Sequence, residues 1–175
     1  MGFGGGAVRL LHYHSEPIEF DREWAYHLDK SRVGKPDGLW VSVEGEGDWE
    51  SWCKDEEFAL YNLAAVHEVT LSESANIVYI NGSEQLLAFH DKWSRPTPMS
   101  SVIGPDRGSH YWDPDWVEVS RAGYDGIIIA PYIYCMRTEG PFWYYDWDCA
   151  SGCIWNLDAI ESFTFVESRK ELIVD

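Results

Sequence analysis

Leu10-Leu11-His12-Tyr13-His14-Ser15 is the stretch from which the fold is read. Side chains alternate along a strand, so Leu10, His12 and His14 share one face while Arg9, Leu11 and Tyr13 take the other. The reading is a first strand over 8–14, preceded by a glycine-rich segment, 1–6, expected to fray. Outward from it, 15–20 reads as a turn and 21–28 as one short helix. Gly34-Lys35-Pro36-Asp37-Gly38 punctuates a loop before a second strand over 39–43. Asp48 is placed to cap a helix over 49–61, with acids in its first turns where the dipole favours them.

Further along, strands are expected over 64–71 and 76–81, then a short helix capped by Ser83 and running through Trp93. Leu86, Leu87, His90 and Trp93 give that helix one apolar face. A long loop over 94–111 follows. Asp113 with Pro114 behind it signals another helix start, and Gly123 a stop. Residues 124–131 read as a buried strand and 131–152 as irregular and highly aromatic. Strands over 153–156 and 162–167 close the sheet. With no repeat and no linker, residues 1–175 are expected to form one mixed α+β domain.

Composition narrows the function classes. Thirty acids against thirteen Lys and Arg give a net charge of -17, and the basic residues do not cluster. Such a surface repels phosphate backbones, so a protein target is favoured over nucleic acid. A hydrophobic fraction of 45% fits a folded chain. No apolar run is long enough to span a membrane, and the 7–11 stretch is too short for a signal-peptide core, so a cytoplasmic location is expected. Cys53, Cys135, Cys149 and Cys153 form no CxxC pair and read as reduced thiols. Ten Trp and ten Tyr sit largely beside glycine, proline or acids. Rings near turns suit clefts that stack a planar ligand; the other use of Trp, in a chain poor in Leu, is to fill the core.

Four segments, in order, resemble the ADP-ribosyltransferase-like superfamily, in its diphtheria-toxin-like class. They are Leu10-Leu11-His12-Tyr13-His14-Ser15, Gly38-Leu39-Trp40-Val41-Ser42, Ala122-Gly123-Tyr124-Asp125-Gly126-Ile127, and Cys153-Ile154-Trp155-Asn156-Leu157-Asp158-Ala159-Ile160. The resemblance implies split, bent sheets around a central cleft that holds NAD as co-substrate. It implies that His12 anchors an NAD ribose hydroxyl and that the backbone at Tyr13 holds the nicotinamide amide. Trp40 and Trp52 would clamp the nicotinamide ring, with Ser42 on the same wall.

The sequence departs from the family at the catalytic acid, whose place falls on Ser151. A serine cannot neutralise a positively charged ribose, so the acid is sought nearby and Asp148 is the first candidate, ahead of Asp146 and Glu139. Asp148 capping a turn is the competing reading. Two functions therefore stay open: a mono-ADP-ribosyltransferase acting on a macromolecule, or a scaffold without catalysis that binds a nucleotide or a partner protein. His12 and His14 share a strand face, yet no acid or Cys has the spacing to complete a metal site, so no metal is expected.

Overall fold

The computed structural model describes residues 8–29, 34–97 and 108–169. The expected frayed segment 1–6 lies outside the described residues, as does most of the loop expected over 94–111. The described chain is α+β. One sheet of seven strands runs in the order β4-β7-β8-β2-β1-β3-β9, and a two-stranded ribbon, β5-β6, stands apart.

The strand β2 (Leu39–Val43) forms over the expected residues, and β1 (Leu10–His14) forms within the expected 8–14, beginning two residues later. They pair antiparallel, but only through Leu10↔Val43 and Leu11↔Ser42. On its other side β1 pairs along its whole length with β3 (Ala65–Leu71). β2 pairs with β8 (Ser151–Ile154), which pairs in turn with β7 (Gly126–Ile129). β4 (Ile77–Ile80) joins β7 in the sheet's parallel pair, and β9 (Ile160–Ser168) edges β3.

All four residues of β8 are buried. Glycines around it make room for close packing. A Cβ at Gly38 would lie 2.5 Å from Cys153 Sγ and 2.7 Å from the Ile154 carbonyl, so only hydrogen fits there.

Helix α1 (Trp49–Asp55) starts as expected, with the Asp48 carboxylate accepting from the Ser51 N–H at 2.9 Å. It stops six residues early. Glu57 and Ala59 take left-handed backbone angles (φ 50° and 47°), which a helix cannot continue through, and a short 3-10 turn, Leu60–Leu63, follows. Helix α2 (Ser83–Trp93) begins after Gly82, with Ser83 inside the helix. Leu86, Phe89 and His90 form its buried face, while Leu87 is 42% exposed.

Two expectations fail for tertiary reasons. No helix forms over 21–28; Arg22 instead reaches across to donate to the carbonyls of Leu157 and Ile160 at 3.0 and 2.7 Å. Asp113 does not cap the third helix. With Pro114 it forms β6, paired to β5 (Ser94–Arg95), and its carboxylate accepts from the Gly34 N–H at 3.2 Å. Asp115 caps α3 (Trp116–Arg121) in its place. The aromatic stretch expected to be irregular holds α4 (Tyr134–Glu139) and a 3-10 turn, Phe142–Asp146. No helix among the described residues is long and apolar enough to cross a membrane.

Candidate functional site

The short pairing of β1 with β2 makes the site. Beyond Leu11 the two strands part, and the ladder bond that would come next is replaced by a side chain. His12 Nδ1–H donates to the Trp40 carbonyl at 2.8 Å. A cavity of about 310 Å³ opens where they separate, lined by His12, Tyr13, Trp40, Ser42, Trp49, Asn62, Asp148 and Ser151 among others. A second, wider cleft of about 540 Å³ adjoins it and shares Lys35, Trp40 and Asp148.

Strand register explains which side chains meet. Ser42 lies opposite Leu11 on β1 and opposite Ser151 on β8, so these three project from the same face, together with Tyr13 and Trp40. The Ser42 hydroxyl accepts from the Trp49 N–H at 2.9 Å, which pins the first turn of α1 over that face. Tyr13 reaches the same helix, its hydroxyl donating to Glu50 at 3.1 Å. Burial opposes charge on Glu50, but hydrogen bonds from Arg169 and Lys54 outweigh it and hold the carboxyl at about 2. Burial and the neighbouring Glu50 charge keep the Tyr13 phenol protonated.

His12 alternates to the opposite face, where its ring packs 6.2 Å from His67 and 5.7 Å from Phe163 between centroids. It reaches the cavity because the strands are parted there. Burial pushes its pKa below the ordinary histidine value of 6.5, against the opposing pull of the Trp40 carbonyl. The ring is therefore neutral near pH 7. Because a carbonyl only accepts, Nδ1 carries the proton and Nε2 keeps its lone pair.

Asp148 sits where the inner cavity meets the outer cleft, directly after Trp147, which is fully buried. Two cations flank it: Lys35 Nζ at 3.4 Å and Arg137 at 3.6 Å. Lys35 also lies 5.3 Å over the Trp40 ring. Asp146 lines the outer cleft beside them. Ser151, on which the resemblance places the acid, donates its hydroxyl to the Cys149 carbonyl at 3.1 Å and lines the inner cavity. Burial raises the Cys149 thiol to about 12, leaving it inert.

Of the residues expected at the site, the structure brings His12, Tyr13, Trp40, Ser42, Asp148 and Ser151 to one cavity. Trp52 is not among the residues lining it. Its indole stacks behind Trp49, 5.1 Å between centroids and 18° from parallel, and Trp49 takes the wall position. Three residues apart on a helix, the two rings lie on neighbouring faces, and sequence spacing alone does not say which turns inward.

Lys35, Arg137 and Asn62 were also missed. Lys35 had a signal, as a cation in the Gly34–Gly38 loop just ahead of Trp40, with Lys30 and Arg32 close before it in a strongly acidic chain. Arg137 had none, because its helix was not foreseen. Among the described residues no group of three or more His, Cys, Asp or Glu is placed to hold a metal ion. All four cysteines are free thiols.

Chemically, the two compartments offer different things. The inner one offers flat indole faces and a neutral imidazole acceptor. The outer one offers two cations, Lys35 and Arg137, among three carboxylates, Asp37, Asp146 and Asp148, in a chain where acids outnumber bases by more than two to one. Comparison with protein-family models, with curated proteins and with solved structures finds no match.

Proposed function

We propose that this chain is an ADP-ribosyltransferase-like protein that binds NAD in the paired cavities and transfers ADP-ribose to a protein. One observation carries the reading. Five residues to which the resemblance gives a place, His12, Tyr13, Trp40, Ser42 and Ser151, line a single cavity where two adjacent strands part, and the candidate acid Asp148 lines it with them. In this reading the parting of β1 from β2 is the family's split sheet.

The nicotinamide ring lies in the inner cavity between Trp40 and Trp49, and the amide meets the backbone at Tyr13. A ribose hydroxyl donates to His12 Nε2. The diphosphate takes the outer cleft, where Lys35 and Arg137 supply positive charge. In the reaction the bond from ribose C1′ to the nicotinamide nitrogen breaks, and nicotinamide leaves with the bonding pair, which cancels its ring charge. The acceptor's nucleophilic atom bonds C1′ and releases its proton to solvent. Asp148 stabilises the positive ribose that develops between these events.

The pairing of Asp148 with two cations, and a serine in the family's acid position, favour a second reading in which the site binds a nucleotide without cleaving it. Asp148→Asn separates the two. The substitution keeps size but removes the charge between Lys35 and Arg137, so NAD should bind as in the wild type or more tightly. Nicotinamide release should fall by roughly two orders of magnitude, as for one lost transition-state charge contact. The measurements are a binding titration and nicotinamide release with protein acceptors present. Equal release by both proteins removes Asp148 from catalysis. NAD binding without release by the wild type favours the binding scaffold, and no NAD binding at all removes the transferase reading.

A further inference from the structure

The loop that ends α1 presents an aromatic surface beside the cavity. Phe58 and Tyr61 are 52% and 58% exposed, large values for such residues. Phe58 packs edge-on against Trp52 and Trp49, at 5.4 and 6.3 Å between ring centroids. The surface is continuous with the site, because Trp49 lines the inner cavity and so does Asn62, the residue after Tyr61. The Phe58 backbone is fixed, its N–H donating to the Cys53 carbonyl at 2.9 Å, so the exposed ring stands on an anchored chain.

Three consecutive exposed acids, Asp55, Glu56 and Glu57, rim this surface. The nearby cations are committed elsewhere: Lys54 pairs with Glu50, and Arg169 with Glu50 and Glu167. None of the three acids forms an ion pair among the described residues.

We propose that Trp52, Phe58 and Tyr61, with Asp55, Glu56 and Glu57, dock a cationic segment of the acceptor protein, one bearing arginine and lysine. This deepens the reading of the adjoining cavity as an NAD site and rests on it for the term acceptor. Charge and shape select the occupant. A guanidinium stacks its plane on an exposed aromatic face while the carboxylates beside it offset its charge. The same acids repel nucleic acid and acidic proteins. The surface ends at the wall formed by Trp49, so a docked segment lies next to the place where the nicotinamide ring would be held.

The test titrates the full chain into a short fluorescent peptide of arginine, lysine and small residues. A length-matched acidic peptide and a single-stranded oligonucleotide run alongside. The cationic peptide should bind and the other two should not. Asp55→Asn/Glu56→Gln/Glu57→Gln should weaken it about tenfold, the size expected when several exposed charge contacts are lost together. Phe58→Ser should weaken it several-fold without changing NAD affinity.

A control, Glu73→Gln/Glu84→Gln/Asp91→Asn, removes as much charge from other exposed sites and should bind the peptide as the wild type does. Equal weakening by both triple variants would mean attraction by overall charge and would overturn the proposal. So would failure of the peptide to bind, unchanged binding in Phe58→Ser, or preference for the oligonucleotide. NAD binding is measured separately. If the peptide docks on this surface and NAD does not bind, the cavity reading fails and the docking surface stands; the opposite result removes the docking surface alone.

Discussion

Two groups of tryptophans divide this protein. Trp116, Trp143, Trp147 and Trp155 are buried and touch in series, with ring centroids 5.9 to 6.1 Å apart. Trp40 and Trp49 are only partly buried and line the cavity, with Trp52, also partly buried, stacked behind Trp49. Most indole N–H groups of the buried set are spent inside the fold: Trp116 on the Gly34 carbonyl, Trp155 on the Tyr124 carbonyl and Trp143 on His90. The cavity set leaves ring faces open. One residue type therefore has two uses here, core filler and cavity wall, and Trp147 packed 5.0 Å from Trp40 is where the two groups meet.

The largest effect expected from this division is on stability. Trp143→Ala empties a fully buried site and removes the donor to His90, so unfolding free energy should drop by about 3–5 kcal/mol. Denaturant unfolding measures it. A loss below 1 kcal/mol, in the same sense as a surface change, would erase the distinction between the groups.

Ligand binding should show the reverse pattern. Trp49→Ala or Trp40→Ala should weaken NAD binding by roughly tenfold, as for the loss of one stacking ring, with a smaller cost in stability. Trp52→Ala, behind the wall, should change NAD affinity by less than about threefold, a fraction of that stacking contribution. Calorimetric titration of the three variants ranks them. Trp52 mattering more than Trp49 would mean that α1 turns its other face to the ligand.

Acid sensitivity gives the smallest effect and tests whether the two regions share one physical cause. His12 at the cavity, His90 in the buried block and His67 between β1 and β9 all have their pKa lowered, with burial the largest cause in each. The unfolded chain then binds more protons than the native one below the ordinary value of 6.5. Stability should be constant above that pH for these groups, fall as the pH drops through it, and level off below their folded values. Unfolding midpoints from pH 7.5 to 5, in the range where histidine titrates, measure the slope. Stability rising on acidification would contradict the neutral His12 on which the ribose contact depends.

Local pattern made much of this legible in advance. Alternation placed β1, Asp48 marked the start of α1, and the mix of strand and helix signals pointed to the α+β class. The resemblance, carried by short segments, named His12, Tyr13, Trp40, Ser42 and Ser151, which meet at the cavity, and Trp52, which does not line it. What local pattern missed has a common origin. Arg22 binds carbonyls more than 130 residues away, and Asp113 is taken up by Gly34, so neither 21–28 nor 113–114 follows its own propensity. The aromatic run before β8 shows no single period because Trp143, Tyr144 and Trp147 are all buried, which hides α4 and the 3-10 turn beside it.

The sequence by itself determined where β1, β2, α1 and α2 form, the strong acidity of the chain, and the supply of flat rings near turns. Those properties depend on neighbours within a few positions or on simple totals. Only the tertiary structure decided that β1 and β2 part after Leu11, that Trp49 and not Trp52 faces the opening, and that Lys35 and Arg137 close on Asp148. Each of those results depends on distances between segments far apart in the chain, set when the sheet order places β8 beside β2 and β2 beside β1. A periodic pattern carries the direction of a side chain, but which partner stands across the gap is settled by packing alone.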